Sequence, residues 1–279
     1  MRLDETLNTG SGVYFEGAPI DALQTPFQHI EVFDTPELGK LMRIDGANMV
    51  SERDEFFYHE NLVHPVAISH PLPRDVLVIG GGDGGSIEEL LKHPSVQRVV
   101  LAELDGGVIE MARKHFQSVH RGALDDPRVE IRLGDGMARV RESENRFDLI
   151  LLDLTDPVGP AEALYTPLFY ADCQRALNDG GALVLHIGSP FSHPGRVRQS
   201  LTHLAGVFSI VVPWFVHIPM YGATWGFASA SNRLDPRSRS VAQVDALLAE
   251  RHIGQRRYYN GSTHAAMLAL PEYVMDMLR

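Results

Sequence analysis

A chain of 279 residues, 44% hydrophobic and 22% charged, can form one large α/β domain with an appendage or two modest domains, and its composition excludes disordered, collagen-like and disulfide-scaffold classes. The net charge of −11 opposes phosphate backbones and anionic lipid and suits a cationic substrate, so neither nucleic acid nor a membrane is expected as a partner. The single cysteine, Cys173, cannot close an intrachain disulfide, no apolar run approaches the roughly 20 residues of a membrane span, and the N-terminal stretch lacks the apolar core of a signal peptide, so a cytoplasmic protein is expected.

In chain order, Phe27 to Phe33 and Lys40 to Ile44 flank the turn-rich Asp34 to Gly39, which predicts a β-hairpin in a small antiparallel sheet. Ser51, three residues before Asp54, forms an acidic variant of the capping box. The run from Arg53 to Ser69 carries Phe56, Phe57, Leu62, Val63 and Ile68 at helical spacing. The proline cluster His70-Pro71-Leu72-Pro73 marks an expected boundary between residues 1–70, a small β-sheet domain ending in a helix, and residues 71–279. Beyond it, the apolar runs Val76–Ile79, Val99–Leu101, Val129–Leu133, Leu149–Leu152 and Leu183–Ile187 alternate with amphipathic stretches, the pattern of a doubly wound parallel sheet. Runs at Ile210–Pro213 and Trp225–Ala230 add candidate final strands, the last in an antiparallel sense.

Val76 to Ile79 run straight into Gly80-Gly81-Gly82-Asp83-Gly84-Gly85 and then a helical stretch, as a G-x-G-x-x-G loop requires where a ligand approaches bare backbone. The fingerprint positions are Gly80, Gly82 and Gly85, and the acid expected about 20 positions on is Glu103, whose carboxylate can accept both ribose hydroxyls. Asp83 lies where a dinucleotide would put its pyrophosphate and where S-adenosylmethionine would put its carboxylate, which favours a nucleoside ligand carrying only positive charge. Capping of the following helix is the other reading of Asp83. Asp135, between Gly134 and Gly136, is either an acceptor for an adenine amine or a plain N-cap. After the next strand come Asp153 and Asp156, with Pro157, Gly159 and Pro160 restricting the loop, as either a preorganised anionic pocket wall or a turn with surface acids. Five acids on one sheet edge point to a cationic organic substrate. No Cys/His spacing suggests a transition metal, no Lys or Arg joins these motifs to bind phosphate with Mg²⁺, and His64 and His70 read as structural.

These residues resemble the spermidine synthase family of polyamine aminopropyltransferases over most of the chain. Phe27-Gln28-His29-Ile30 is similar to the family's Y-Q-x-I strand, Ile44-Asp45-Gly46 to its L-D-G turn, and Asp54 to Glu60 to its D-E-F-x-Y-H-E helix. Gly80 to Gly85 reproduce G-G-G-D-G-G, Glu103-Leu104-Asp105 is similar to V-E-I-D, and Asp153 to Pro160 to D-x-T-D-P-x-G-P. Ile218 to Tyr221 resemble I-P-T-Y, while Tyr258-Tyr259-Asn260 and Leu270-Pro271 match the C-terminal marks. The resemblance implies a methyltransferase-like Rossmann sheet behind a small antiparallel β domain. It also implies transfer of an aminopropyl group from decarboxylated S-adenosylmethionine, a co-substrate with no further cofactor or metal, to a diamine or polyamine, with putrescine to spermidine foremost. Carried over, the roles fall on Asp153 as general base, on Tyr58, Asp156 and Tyr221 at the acceptor amine, on Asp83 and His59 at the donor's ammonium, and on Gln28, Glu103 and Asp135 at its nucleoside. A homodimer or homotetramer is expected. The chain departs from the family at His186, where many members carry Gln, and in a loop after Tyr221 that is one residue shorter than in bacterial relatives. The competing functions are an S-adenosylmethionine-dependent methyltransferase, against which Asp83 speaks, and a silent polyamine-binding protein, against which the full set of acids speaks.

Overall fold

The computed structural model describes residues 1–156 and 159–278, with the side chains of 159 and 160 left out. Two small antiparallel sheets come first. Strands β1 (Arg2–Asn8) and β2 (Ser11–Glu16) form a hairpin, and β3 (Ala18–Gln24), β4 (His29–Thr35), β5 (Gly39–Ile44) and β6 (Ala47–Ser51) form a meander in that order. The expected hairpin is β4–β5, with Phe33 opposite Leu41. The β1–β2 hairpin was not anticipated; its residues alternate too weakly in polarity to stand out.

Helix α1 (Glu55–Ser69) follows, with nearly every residue buried. The expected capping box does not form. Asp54 is the N-cap without a side-chain cap bond; its Oδ1 accepts from Ser51 Oγ (2.5 Å) and its Oδ2 from the Met220 N–H (2.7 Å). A buried loop amide needs an acceptor more than a helix start open to other partners does, so Asp54 serves the loop.

The remaining elements alternate: β7 (Asp75–Gly80), α2 (Gly85–Leu91), β8 (Arg98–Glu103), α3 (Gly106–His115), α4 (Gln117–His120), β9 (Val129–Leu133), α5 (Gly136–Arg141), β10 (Phe147–Asp153), α6 (Pro167–Ala176), β11 (Leu177–Gly188), α7 (Pro194–Ala205), β12 (Ile210–Ile218), β13 (Ala223–Ser231), α8 (Val241–Glu250), α9 (Gly261–Leu268) and α10 (Glu272–Leu278). The seven-stranded sheet has the order β12-β13-β11-β10-β7-β8-β9, with β7 to β11 parallel and β13 antiparallel to both neighbours. Successive strand residues feed opposite faces: Val76, Val78, Leu149 and Leu151 join one core, and Leu77, Ile79, Ile150 and Leu152 the other. Burial on both sides is why these strands read as continuous apolar runs.

The first of these cores also contains Ile30, Val32 and Met42 of the meander together with Leu62, Val63 and Val66 of α1. Helix α1 packs on α2, β11 and β12, so a division of the chain at residue 70 runs through a shared core. His64 is buried between His93 Nε2 (3.0 Å) and Glu89 Oε2 (3.0 Å), and His70 accepts from the Leu72 N–H. Among the described residues no helix is long and apolar enough to cross a membrane.

Candidate active site

The chain runs outward from β7 to β8 and β9, then returns to β10 on the other side of β7. A crevice therefore opens at the carboxyl ends of β7 and β10, where open α/β sheets bind ligands. Gly80 lies directly opposite Asp153 across that switch point. Gly80 takes φ +74°, and a Cβ there would collide with the Asp153 carbonyl. At the two other fingerprint positions a Cβ would meet Glu103 Oε2 (Gly82, 2.8 Å) and the His59 ring (Gly85). The glycines thus let the Asp153 backbone and two functional side chains, those of Glu103 and His59, approach the loop.

Asp83 stands one residue ahead of Gly84, the N-cap of α2. Its Oδ1 accepts from the Gly85 N–H at 2.7 Å, shaping the turn into α2, and lies 3.5 Å from His59 Nε2. The other ring nitrogen, Nδ1, sits 3.0 Å from Glu55 Oε2 one helical turn back. Burial pushes the His59 ring down, but Asp83 and Glu55 outweigh it and hold the imidazolium up to about 10. With both nitrogens engaged by carboxylates, His59 is a buried cation that orients Asp83.

Asp153 ends β10 in a buried position. Burial, and after it the negative charge of Asp83, raise its carboxyl to about 6, against the pull of His59 and of hydrogen bonds from Ser86 and Tyr58. The Ser86 hydroxyl donates to Asp153 Oδ2 at 2.5 Å. Asp153 is thus ionised at neutral pH yet close enough to neutrality to take a proton. Around it stand rings from distant segments: Tyr58 meets Tyr221 edge-on at 6.4 Å between centroids, Tyr221 lies 4.7 Å from Trp225, and Trp225 stacks on His186 at 6.0 Å. His186 Nε2 is 2.8 Å from the Tyr165 hydroxyl and 2.9 Å from the Leu154 carbonyl oxygen, and burial lowers its pKa, leaving a neutral ring.

Asp156 closes the far end. Its Oδ2 pairs with Arg196 Nη1 at 2.7 Å, and its charge reaches Tyr165, His186, Tyr221 and Glu5. Glu5, from the unanticipated hairpin, accepts from the Asn48 N–H at 3.0 Å; burial raises its carboxyl. Pro157 of the expected rigid wall lies outside the described residues, as does the Pro160 side chain.

At the end of β8, Glu103 accepts from the Gly82 N–H (3.1 Å) and the Asp105 N–H (2.9 Å), one on each oxygen. Burial raises it to about 7 despite those bonds. The Thr25 hydroxyl donates to Asp105 Oδ2 (2.7 Å) while Gln28 bonds back to Thr25 through its backbone, which sets Gln28 on a loop tied to Asp105. Asp135 is exposed and caps α5 by accepting from the Met137 N–H at 2.8 Å, so its N-cap reading is realised at the same strand edge.

Tyr58, His59, Asp83 and Asp153 therefore form one connected network, with Glu103 joined through Gly82 and Tyr221 through Tyr58. Asp156 faces them across the aromatic wall; Gln28 and Asp135 stand at the margin. Glu55, Ser86, Tyr165, Trp225 and Arg196 escaped the motif reading. Only Glu55, inside the D-E-F-x-Y-H-E stretch, carried a signal that pointed to it. Among the described residues no group of three or more His, Cys, Asp or Glu is placed to hold a metal.

The family model described as the Spermine/spermidine synthase domain matches residues 55–239. The chain belongs to this family. It is 48% identical over 275 residues to the polyamine aminopropyltransferase of Nitrosomonas europaea, covering 98% of this chain and 85% of that protein. It is 39% identical to the enzyme of the same name from Bacillus subtilis, covering 92% and 90%. A spermidine synthase crystallised with the transition-state analogue AdoDATO superposes with a TM-score of 0.94 at 35% identity, over 100% of this chain and 94% of that one. The spermidine synthase of Thermotoga maritima superposes at 0.90 with 34% identity, over 100% and 94%. The chain is accordingly an aminopropyltransferase with the methyltransferase-like fold of those enzymes.

Proposed function

We propose that this aminopropyltransferase joins the aminopropyl group of decarboxylated S-adenosylmethionine to putrescine, forming spermidine and releasing methylthioadenosine. The observation that carries the residue assignment is the buried network Asp153–Tyr58–His59–Asp83 at the switch point between β7 and β10. An alkyl ammonium with a pKa near 10 is no nucleophile at neutral pH, so it must lose a proton to attack. Asp153 takes that proton, and the Ser86 and Tyr58 hydroxyls aim its carboxylate. The freed nitrogen lone pair forms the new N–C bond to the carbon next to sulfonium while the C–S electron pair returns to sulfur, leaving a neutral thioether. Since the sulfonium is already an activated leaving group, the protein's main task is alignment of two cations that repel each other, a task that can supply roughly 7 to 11 kcal/mol.

Asp83 receives the donor's terminal ammonium. The imidazolium of His59, balanced by Glu55, orients Asp83 instead of holding the ammonium itself, since a cation with both nitrogens engaged offers no lone pair. Glu103 accepts the ribose hydroxyls on lone pairs left over from its two backbone bonds, with Gln28 and Asp135 flanking the nucleoside. Tyr58, Tyr221 and Asp156 line the acceptor's path, and Trp225 and His186 add its apolar wall. Incubation with decarboxylated or ordinary S-adenosylmethionine and a panel of amines, read by mass spectrometry, tests the reading. Methylthioadenosine and spermidine are expected from the decarboxylated donor and putrescine; a methylated amine, or no transfer to putrescine, would overturn it.

A further inference from the structure

We propose that Arg196 is a specificity-determining residue, a built-in cation that occupies Asp156 and sets the enzyme against acceptors longer than a diamine. The inference rests on reading Asp156 as an acceptor ligand. Arg196 is the third residue of α7, in the first turn, where the helix dipole disfavours a positive charge. Its side chain is laid over the end of β11, where Gly188 (φ +86°) leaves room: a Cβ there would lie 3.3 Å from Arg196 Cδ. That path brings Nη1 to 2.7 Å from Asp156 Oδ2, with 24% of the Arg196 side chain exposed. Among the described residues the ion pair of Arg196 is with this carboxylate.

The guanidinium acts on the whole acceptor wall. Its charge reaches Tyr165, His186 and His193, holding the two imidazoles in their neutral forms together with burial. Of the other carboxylates bearing on Tyr221, Asp54 accepts from Ser51 and the Met220 N–H, Glu5 accepts the Asn48 N–H and feels Arg43, and Asp153 is the base, so Asp156 is the anion left for a distal ammonium. A diamine brings one such ammonium, which exchanges for the guanidinium on Asp156. A triamine brings a second positive charge to the place where Arg196 stands. Arginine does not deprotonate, so this repulsion persists across the working pH range.

The test measures, at saturating decarboxylated donor, the KM of putrescine and the inhibition constant of a triamine competing with it, so that no turnover of the triamine is needed. In Arg196→Gln the preference for the diamine over the triamine should fall by about tenfold, equivalent to about 1.4 kcal/mol. The change should lie in the amine constants, with methylthioadenosine affinity held. Arg196→Lys keeps the charge and should keep the discrimination. A preference unmoved in the Gln variant, or lost equally in the Lys variant, would overturn the charge role. Asp156→Asn separates the two layers. If it leaves every amine constant unchanged, the acceptor assignment of Asp156 fails; if it weakens amine binding while Arg196→Gln leaves the preference intact, only the proposal for Arg196 fails.

Discussion

Asp153→Asn should make the protein more stable and nearly inactive, and both effects follow from one carboxyl. Its folded pKa of about 6 stands above the ordinary 3.8 because burial and Asp83 disfavour the charged form. An acid with a raised folded pKa costs nothing below the unfolded value. The cost grows as pH rises from 3.8 to 6 and is complete above that window. A shift of about two units at 1.36 kcal/mol each amounts to about 3 kcal/mol at pH 8. The asparagine variant escapes that cost, so its Tm should rise at pH 8, by about 2 to 4 °C per kcal/mol for a chain of this size class, and the gain should vanish near pH 4. Asparagine keeps an acceptor for the Ser86 hydroxyl but cannot take the amine's proton, so kcat should fall by about 10² to 10⁴. In the wild type, kcat/KM for the donor should drop about tenfold per unit below pH 6. Thermal unfolding at several pH values and a kcat/KM profile from pH 5 to 8 measure both. A variant that is active, or a wild-type profile flat across that range, would refute the base assignment; a Tm gain independent of pH would refute the burial argument.

Asp83→Asn keeps an acceptor for the Gly85 N–H but loses the charge proposed to receive the donor's ammonium. Affinity for decarboxylated S-adenosylmethionine should fall while that for S-adenosylmethionine holds or rises, and the ratio of the two Kd values at fixed ionic strength is the observable; an unmoved ratio would leave Asp83 as a turn former only. The same variant should lower the His59 pKa from about 10, seen by NMR titration of the ring, since Asp83 is the largest influence opposing burial there. Gly85→Ala places a Cβ against the His59 ring and should displace it from Asp83, cutting kcat/KM for the donor by about 10²-fold; wild-type kinetics would show that the ring's position is not needed. Glu60, buried in α1, accepts backbone N–H bonds from Arg257, Tyr258 and Tyr259 at 2.6, 2.9 and 2.7 Å. Glu60→Gln turns an amide toward those donors, so denaturant unfolding should show a loss of about 1.5 to 3 kcal/mol, and an unchanged midpoint would mean that the segment docks by other contacts.

The inner parallel strands β7, β8, β10 and β11 were legible because they are buried on both faces, which leaves an apolar run in the chain whatever the neighbours are; the edge strand β9 is only half-buried and shows alternation instead. The glycine loop was legible for a related reason: positive φ at Gly80 and close approach of Asp153 leave no other residue type there. Asp83, Glu103 and Asp153 could be placed because each ends, or closely follows, such a strand. The β1–β2 hairpin escaped because its strands are largely exposed, and exposed strands carry weak periodicity. The capping box at Ser51 failed because the local pattern competes with a partner, the Met220 amide, that is 166 residues away.

What the sequence by itself determined is local: strand, loop and helix order, the positions that must be glycine, and the acids at strand ends, since steric and hydrophobic rules act over a few residues. The motif resemblance extended this to family and chemistry. Only the tertiary structure decided the states of those acids. The doubly wound crossover brings α1 against the glycine loop, so that His59 becomes a cation between Glu55 and Asp83, and it sinks Asp153 deep enough to raise its carboxyl to about 6. The same closure brings Arg196 from a helix start onto Asp156 and gathers Tyr165, His186, Tyr221 and Trp225 into one wall. Ion pairs and burial depend on distance in space, and residues as far apart in the chain as His59 and Asp83, or Asp156 and Arg196, acquire that distance only when the sheet closes.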